Sequence, residues 1–121
     1  MSELRKISVV DDDELFLEGM ECLIRSFGYE VDTFGSAEEY LNSNWADTFC
    51  LITDVHMPGM DGIELQKRLI AEGCRLPIVF MSADSGERIR ETAMQAGAIG
   101  FLTKPFDASR LEDLLKTILN T

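Results

Sequence analysis

The sequence predicts an α/β domain of five βα units, a doubly wound parallel sheet with helices on both faces. Three observations carry that reading. Short apolar runs, several of them β-branched, alternate five times with segments whose apolar residues recur at helical spacing. Chain-stopping or capping residues sit at the joints, as Gly28, Ser36, Gly73 and Gly97 do. Polar side chains capable of chemistry fall at or just beyond the ends of the apolar runs, where a parallel sheet presents its functional loops.

The first strand covers residues 7–10 and stops abruptly at Asp11, Asp12 and Asp13, as a strand buried on both faces does on reaching a loop. Residues 14–27 predict a helix with a stripe of Phe16, Met20, Leu23, Ile24 and Phe27, closed by Gly28. A second strand follows over 29–34, and Ser36 caps a short helix that runs to residue 42. Residues 48–53 form the third strand; the helix after Asp61 and Gly62 carries Ile63, Leu69 and Ile70. Beyond Gly73 come a fourth strand at 78–81, a weakly patterned helix at 88–96 and a fifth strand at 99–103. Leu111, Leu114, Leu115 and Ile118 mark the last helix. Right-handed crossovers then place all five strand ends on one rim.

With 121 residues the chain fits one domain, here residues 1–121, and 45% hydrophobic against 27% charged residues is the balance of a globular protein. A formal charge of -11 repels nucleic acid phosphates and anionic membranes, so neither direct nucleic acid binding nor membrane association is expected. Cys22, Cys50 and Cys74 lack the close spacing of a zinc or redox pair and read as small buried hydrophobes in a reducing compartment. Neither a secretory leader nor an apolar run long enough to span a bilayer is evident, which favours a cytoplasmic location.

The predicted rim gathers residues from most of the chain. Asp11 and Asp12 follow strand one, Asp54 ends strand three, Ser82 ends strand four and Lys104 ends strand five. Carboxylates brought close together repel unless a cation sits among them. An all-oxygen cluster without histidine or cysteine ligands favours a hard ion, and Mg2+ pairs a few carboxylates with phosphate oxygens. Add a lysine ammonium, a serine hydroxyl and one nucleophilic carboxylate, and the site is equipped for phosphoryl transfer, with Asp54 as the acceptor.

Val9-Val10-Asp11-Asp12, the loop from Asp54 through His56, Met57, Pro58 and Asp61 to Gly62, Met81-Ser82-Ala83 and Lys104-Pro105-Phe106 resemble, in order and spacing, the receiver domain of two-component response regulators. The match covers nearly the whole chain. It implies a flavodoxin-like strand order of 2-1-3-4-5 and a phosphorylation-activated switch rather than an enzyme, one that catalyses only its own phosphorylation and autodephosphorylation. Asp54 would take a phosphoryl group from the phosphohistidine of a sensor histidine kinase or histidine phosphotransfer protein. Mg2+, with Mn2+ as a substitute, would be held by Asp11, Asp12, Asp54 and the backbone carbonyl of His56. Lys104 and Ser82 would bind phosphoryl oxygens, with Phe101 turning inward as the aromatic switch and Lys104-Pro105 the candidate cis peptide. His56 and Asp84 stand where the family tunes the lifetime of the phosphorylated form. The change would reach a downstream output domain or protein through the face of the fourth helix, fifth strand and fifth helix, and a phosphorylation-dependent dimer is compatible with it. Phe101 lacks the hydroxyl of the tyrosine often found at its position, so no hydrogen bond from it holds an inward state.

Plainer roles compete at several positions. Asp13 reads as a helix N-cap and Asp61 with Gly62 as turn and cap chemistry. Met57 and Met60 read as loop packing, and Phe101 also suits a core. Among rival functions, a small-molecule phosphotransferase using an aspartyl-phosphate would need a second aspartate at position 56 and a cap domain, and His56 stands there instead. A flavin carrier of similar topology needs a phosphate-cradling loop after strand one, which three aspartates oppose. A receiver that only binds partners usually lacks the acidic pair, acceptor or lysine; all are present here.

Overall fold

A computed structural model describes residues 5–84 and 86–119. The elements alternate as β1 (Lys6–Val10), α1 (Glu14–Ser26), β2 (Glu30–Phe34), α2 (Ala37–Leu41), a 3-10 turn (Trp45–Asp47), β3 (Cys50–Asp54), α3 (Gly62–Ala71), β4 (Ile78–Ser82), α4 (Glu87–Gln95), β5 (Gly100–Thr103) and α5 (Ala108–Leu119). All five strands are parallel, in the order β2-β1-β3-β4-β5. The expected fold class is therefore the observed one, and strand boundaries move by at most two residues. Thr48, expected inside β3, instead closes the 3-10 turn, its N–H donating to Trp45 O.

Strand side chains alternate between two apolar layers. Ile7, Val9, Cys50, Ile52, Val79, Met81 and Leu102 pack with Leu17, Met20 and Ile24 of α1 and with Leu111, Leu115, Ile118 and Leu119 of α5. On the opposite face Val10, Leu51, Ile78, Phe80 and Phe101 meet Ala37 and Tyr40 of α2, Leu65 and Leu69 of α3, and Ala93 of α4. Each face is thus sealed by helices, which is why β3 and β4 are buried along their whole length.

Helix ends follow local chemistry. The Asp13 carboxylate accepts from the N–H groups of Leu15 and Phe16, as its N-cap reading requires. Asp61 and Glu64 form a reciprocal capping box on α3, and the Ser36 hydroxyl caps α2. Gly28, at φ +97°, closes α1 in a backbone conformation that a side chain would strain.

Helix phase departs from the expected stripes. In α1 Met20 and Ile24 face the core as expected, Leu17 joins them, and Phe16, Leu23 and Phe27 pack half-buried against its edge. In α3 Leu65 and Gln66 go inward while Ile70 stays 55% exposed, because the helix turns its Leu65 and Leu69 edge to the sheet. Of the cysteines only Cys50 is buried; Cys74 is half-buried and Cys22 exposed, since α1 presents that position to solvent.

A buried polar chain ties β1 to the segment before β3: the Tyr40 hydroxyl donates to Thr48 Oγ1 at 3.0 Å, and Ser8 Oγ lies 2.8 Å from the same oxygen. Burial pushes the Tyr40 phenol up to about 12, against the smaller lowering effect of the Thr48 bond. A folded-state pKa above the unfolded value means stability that is whole below pH 10 and is lost as pH climbs towards 12. Tyr40→Phe should cost about 1 kcal/mol at neutral pH through the lost hydrogen bond, yet flatten the alkaline loss in urea titrations across that window.

Candidate functional site

Strand register builds the site. Val10 pairs with Thr53, so Asp11 and Asp54, one step further along neighbouring strands, arrive side by side. Asp54 pairs with Met81, and Ser82, the next residue, pairs with Thr103 immediately before Lys104. The Lys104 N–H donates to Ser82 O at 2.8 Å, fixing the fifth strand's exit beside the fourth. Carboxylate oxygens of Asp11, Asp12 and Asp54 come within 4.8 Å of one another. Lys104 Nζ donates to Asp11 Oδ2 at 2.6 Å and approaches Asp54 Oδ2 at 3.4 Å.

Burial makes this cluster electrostatically costly. Asp11 is 1% exposed and Asp54 8%, while Asp12 lies in the open. Burial raises the Asp54 pKa, the charge of Asp11 adds to the rise, and Lys104 and the His56 backbone N–H pull the other way without cancelling it. Burial alone would lower Lys104, but the Asp11 bond and the charges of Asp54 and Asp11 outweigh it and leave its pKa raised. The two shifts differ in origin: the acids make the lysine keep its proton firmly, and burial makes Asp54 give up its own reluctantly. A second positive charge would relieve the excess of carboxylates over ammonium. The donors are all oxygen, which fits a hard divalent ion such as Mg2+.

The remaining expected site residues surround this centre unevenly. Ser82 is fully buried, and its Oγ accepts from the Asp84 N–H at 3.0 Å. That bond uses a lone pair and leaves the hydroxyl proton to donate. The Asp84 side chain is exposed and accepts from the Gly86 N–H at 2.8 Å. The His56 side chain is exposed as well, and its backbone N–H hydrogen-bonds Asp54. The Lys104-Pro105 bond is cis. Phe101, expected to turn inward on activation, lies inward at 8% exposure on the α3 and α4 side of the core.

Two contributors escaped the sequence reading. Gly62 passes so close to the Asp54 backbone that a Cβ there would collide with Asp54 O, and its N–H donates to Val55 O at 2.9 Å. The Asp-Gly pair signalled a turn, but only the fold shows that the turn packs on the acceptor's own peptide. Phe16 was read as core, against which it packs half-buried; its ring also lies beneath Lys104 Nζ, with the centroid 4.2 Å away.

Residues 7–116 match the family model for the response regulator receiver domain. The chain belongs to the response regulator receiver family. It is 43% identical over 93% of its length to the response regulator protein TmoT of Ectopseudomonas mendocina, covering 50% of that protein. It is 36% identical over 93% of its length to the transcriptional regulatory protein FixJ of Bradyrhizobium diazoefficiens, covering 56% of it. The receiver thus spans about half the length of these curated relatives. Its fold superimposes on a BeF3-activated DrrB receiver domain with a TM-score of 0.90 at 26% identity, covering 98% of this chain and 100% of that one. Receivers are regulatory domains of phosphorylation-dependent signalling in two-component systems, with an acidic pocket for Mg2+, and in this receiver Asp11, Asp12 and Asp54 form an acidic cluster whose oxygens could hold such an ion. Among the described residues no helix is long and apolar enough to cross a membrane.

Two consequences for stability follow from the geometry. Because the folded-state pKa of Asp54 exceeds its ordinary value of 3.8, ionising it works against folding, and metal-free stability should fall as pH rises through the folded value. Asp54→Asn should therefore raise the melting temperature in EDTA at pH 7. Mg2+ at about 100 times its Kd should stabilise the natural protein by about 2.7 kcal/mol, and the Asn variant by clearly less. Gly62→Ala should cost about 1 to 3 kcal/mol in urea titrations, since the displaced neighbour is backbone.

Proposed function

We propose that residues 1–121 act as one receiver domain, a switch phosphorylated on Asp54 by a sensor histidine kinase or a histidine phosphotransfer protein. The observation that carries this reading is the meeting of a buried carboxylate, two further acids and a lysine ammonium at one rim. The Asp54 carboxylate attacks the phosphorus of the donor phosphohistidine. The P–N bond breaks, its electron pair goes to the imidazole, which takes up a proton, and an acyl phosphate forms on Asp54. Asp11, Asp12, Asp54 and the His56 carbonyl hold Mg2+, or Mn2+ in its place, which when bound neutralises the charge gathering on the phosphoryl oxygens. Lys104 pairs with one of those oxygens and the Ser82 hydroxyl donates to another.

The energetics point to a partial shift. Charged hydrogen bonds contribute about 1.5 to 3 kcal/mol each, whereas moving a population from about 1:99 to 99:1 takes about 5.5 kcal/mol. Lys104 already binds Asp11, so its phosphoryl contact is an exchange and adds little; the new bond is that of Ser82. Phe101, inward at 8% exposure, is the aromatic position that the switch acts on. The signal leaves through the α4-β5-α5 face to an output domain or protein, in a phosphorylation-dependent dimer where one forms, in the cytoplasm. The side chains of His56 and Asp84, exposed at the edge of the site, tune the lifetime of the acyl phosphate.

Incubation with acetyl phosphate or phosphoramidate and Mg2+, followed by intact mass spectrometry, should show one added phosphoryl group. Asp54→Asn should show none, and EDTA should reduce the yield strongly. Equal modification of the Asn variant would place the acceptor elsewhere.

A further inference from the structure

A lysine ammonium rides on a flexible four-carbon stem, so two carboxylates alone leave much freedom in where it sits. Lys104 has a third contact. Its Nζ lies 4.2 Å from the centroid of the Phe16 ring, beneath it on the first turns of α1. That ring is itself held, packed edge to face on Phe106 of the β5–α5 loop with centroids 6.2 Å apart and planes at 86°. Both phenylalanines are half-buried and rest on the α1 and α5 side of the core. Phe16 is not one of the core-facing positions of α1, which are Leu17, Met20 and Ile24. Its place is between the core and the cation.

An aromatic face attracts a cation without offering it a lone pair, so it does not compete with carboxylate or phosphoryl oxygens for the ammonium's protons. We infer that Phe16 is a positioning residue whose ring holds the Lys104 ammonium at the rim while the ammonium exchanges the Asp11 carboxylate for a phosphoryl oxygen on Asp54. This rests on Asp54 being the acceptor. The acids supply attraction and the ring supplies direction: without it, the stem swings towards solvent when Asp11 lets go. The pair Phe16 and Phe106 also couples the lysine's loop to α1, so the cation keeps its place relative to both the first and the fifth strand ends.

The test compares the full chain with Phe16→Leu, Phe16→Met, Phe16→Tyr and Phe16→Trp. Initial rates of phosphorylation by acetyl phosphate at saturating Mg2+ are read by intact mass, Mg2+ affinity by calorimetry and folding by melting temperature. Removing the ring should slow phosphorylation about 5-fold to 30-fold, the range that a cation–π contact of this kind corresponds to. Mg2+ affinity should not change, because the acids that hold the ion are untouched, and Tyr or Trp should recover the rate. Met keeps bulk without a ring and stands in should Leu fail to fold. Wild-type rates in the ringless variants overturn the inference, as does a loss matched by an equal loss of Mg2+ affinity or one that neither aromatic variant recovers. Asp54→Asn runs in parallel: its modification would sink the acceptor reading itself, whereas an inert Asn variant beside a fully active Phe16→Leu sinks only the role of the ring.

Discussion

Three carboxylates share a rim with one ammonium, and that imbalance of charge organises the site. Asp11 and Asp54 are almost wholly buried, so water cannot dilute their repulsion. Lys104 offsets part of it, through a 2.6 Å bond to Asp11 and a 3.4 Å approach to Asp54. What is left over is a negative excess on oxygen donors, the kind of site that suits a hard divalent cation. A balanced cluster would be more stable and less useful. The raised pKa of Asp54 records the cost of burying its charge, and the sheet's two sealed faces supply the stability that tolerates it.

The parallel sheet turns that chemistry into geometry with little local contrivance. Adjacent register pairs place Asp11 by Asp54 and Ser82 by the residue that precedes Lys104. Around them sit parts that stand outside the cluster of acids and ammonium. Gly62 lets α3 start against the Asp54 peptide, and Phe16 lies under the ammonium. The Glu38 side chain reaches across to accept from the Met60 N–H at 3.2 Å, tying α2 to the loop beyond the acceptor. The centre is thus held from β1, β3 and β5 at once, with α1, α2 and α3 bracing it.

Such bracing bears on how a receiver switches. Lys104 and Ser82 already have partners, so a phosphoryl group rearranges an existing network. Phe101 lies inside the core beside them.

The chain's pattern by itself determined the element order, the fold class and the rim. Alternating apolar runs have few ways to pack, and parallel strands with right-handed crossovers must end on one side, so Asp11, Asp12, Asp54, Ser82 and Lys104 were legible as one group. Caps such as Asp13 and Asp61 were legible too, because their partners lie within one helical turn. Helix phase was not: Leu17 or Phe16, Leu65 or Ile70, fits the same periodicity, and the choice depends on which surface the neighbouring sheet offers. The exposure of Cys22, the inward Phe101 and the seats of Phe16 and Gly62 were likewise decided only by tertiary contact. Each depends on atoms from elements far apart in the chain, and spacing within a segment says nothing about distance between segments.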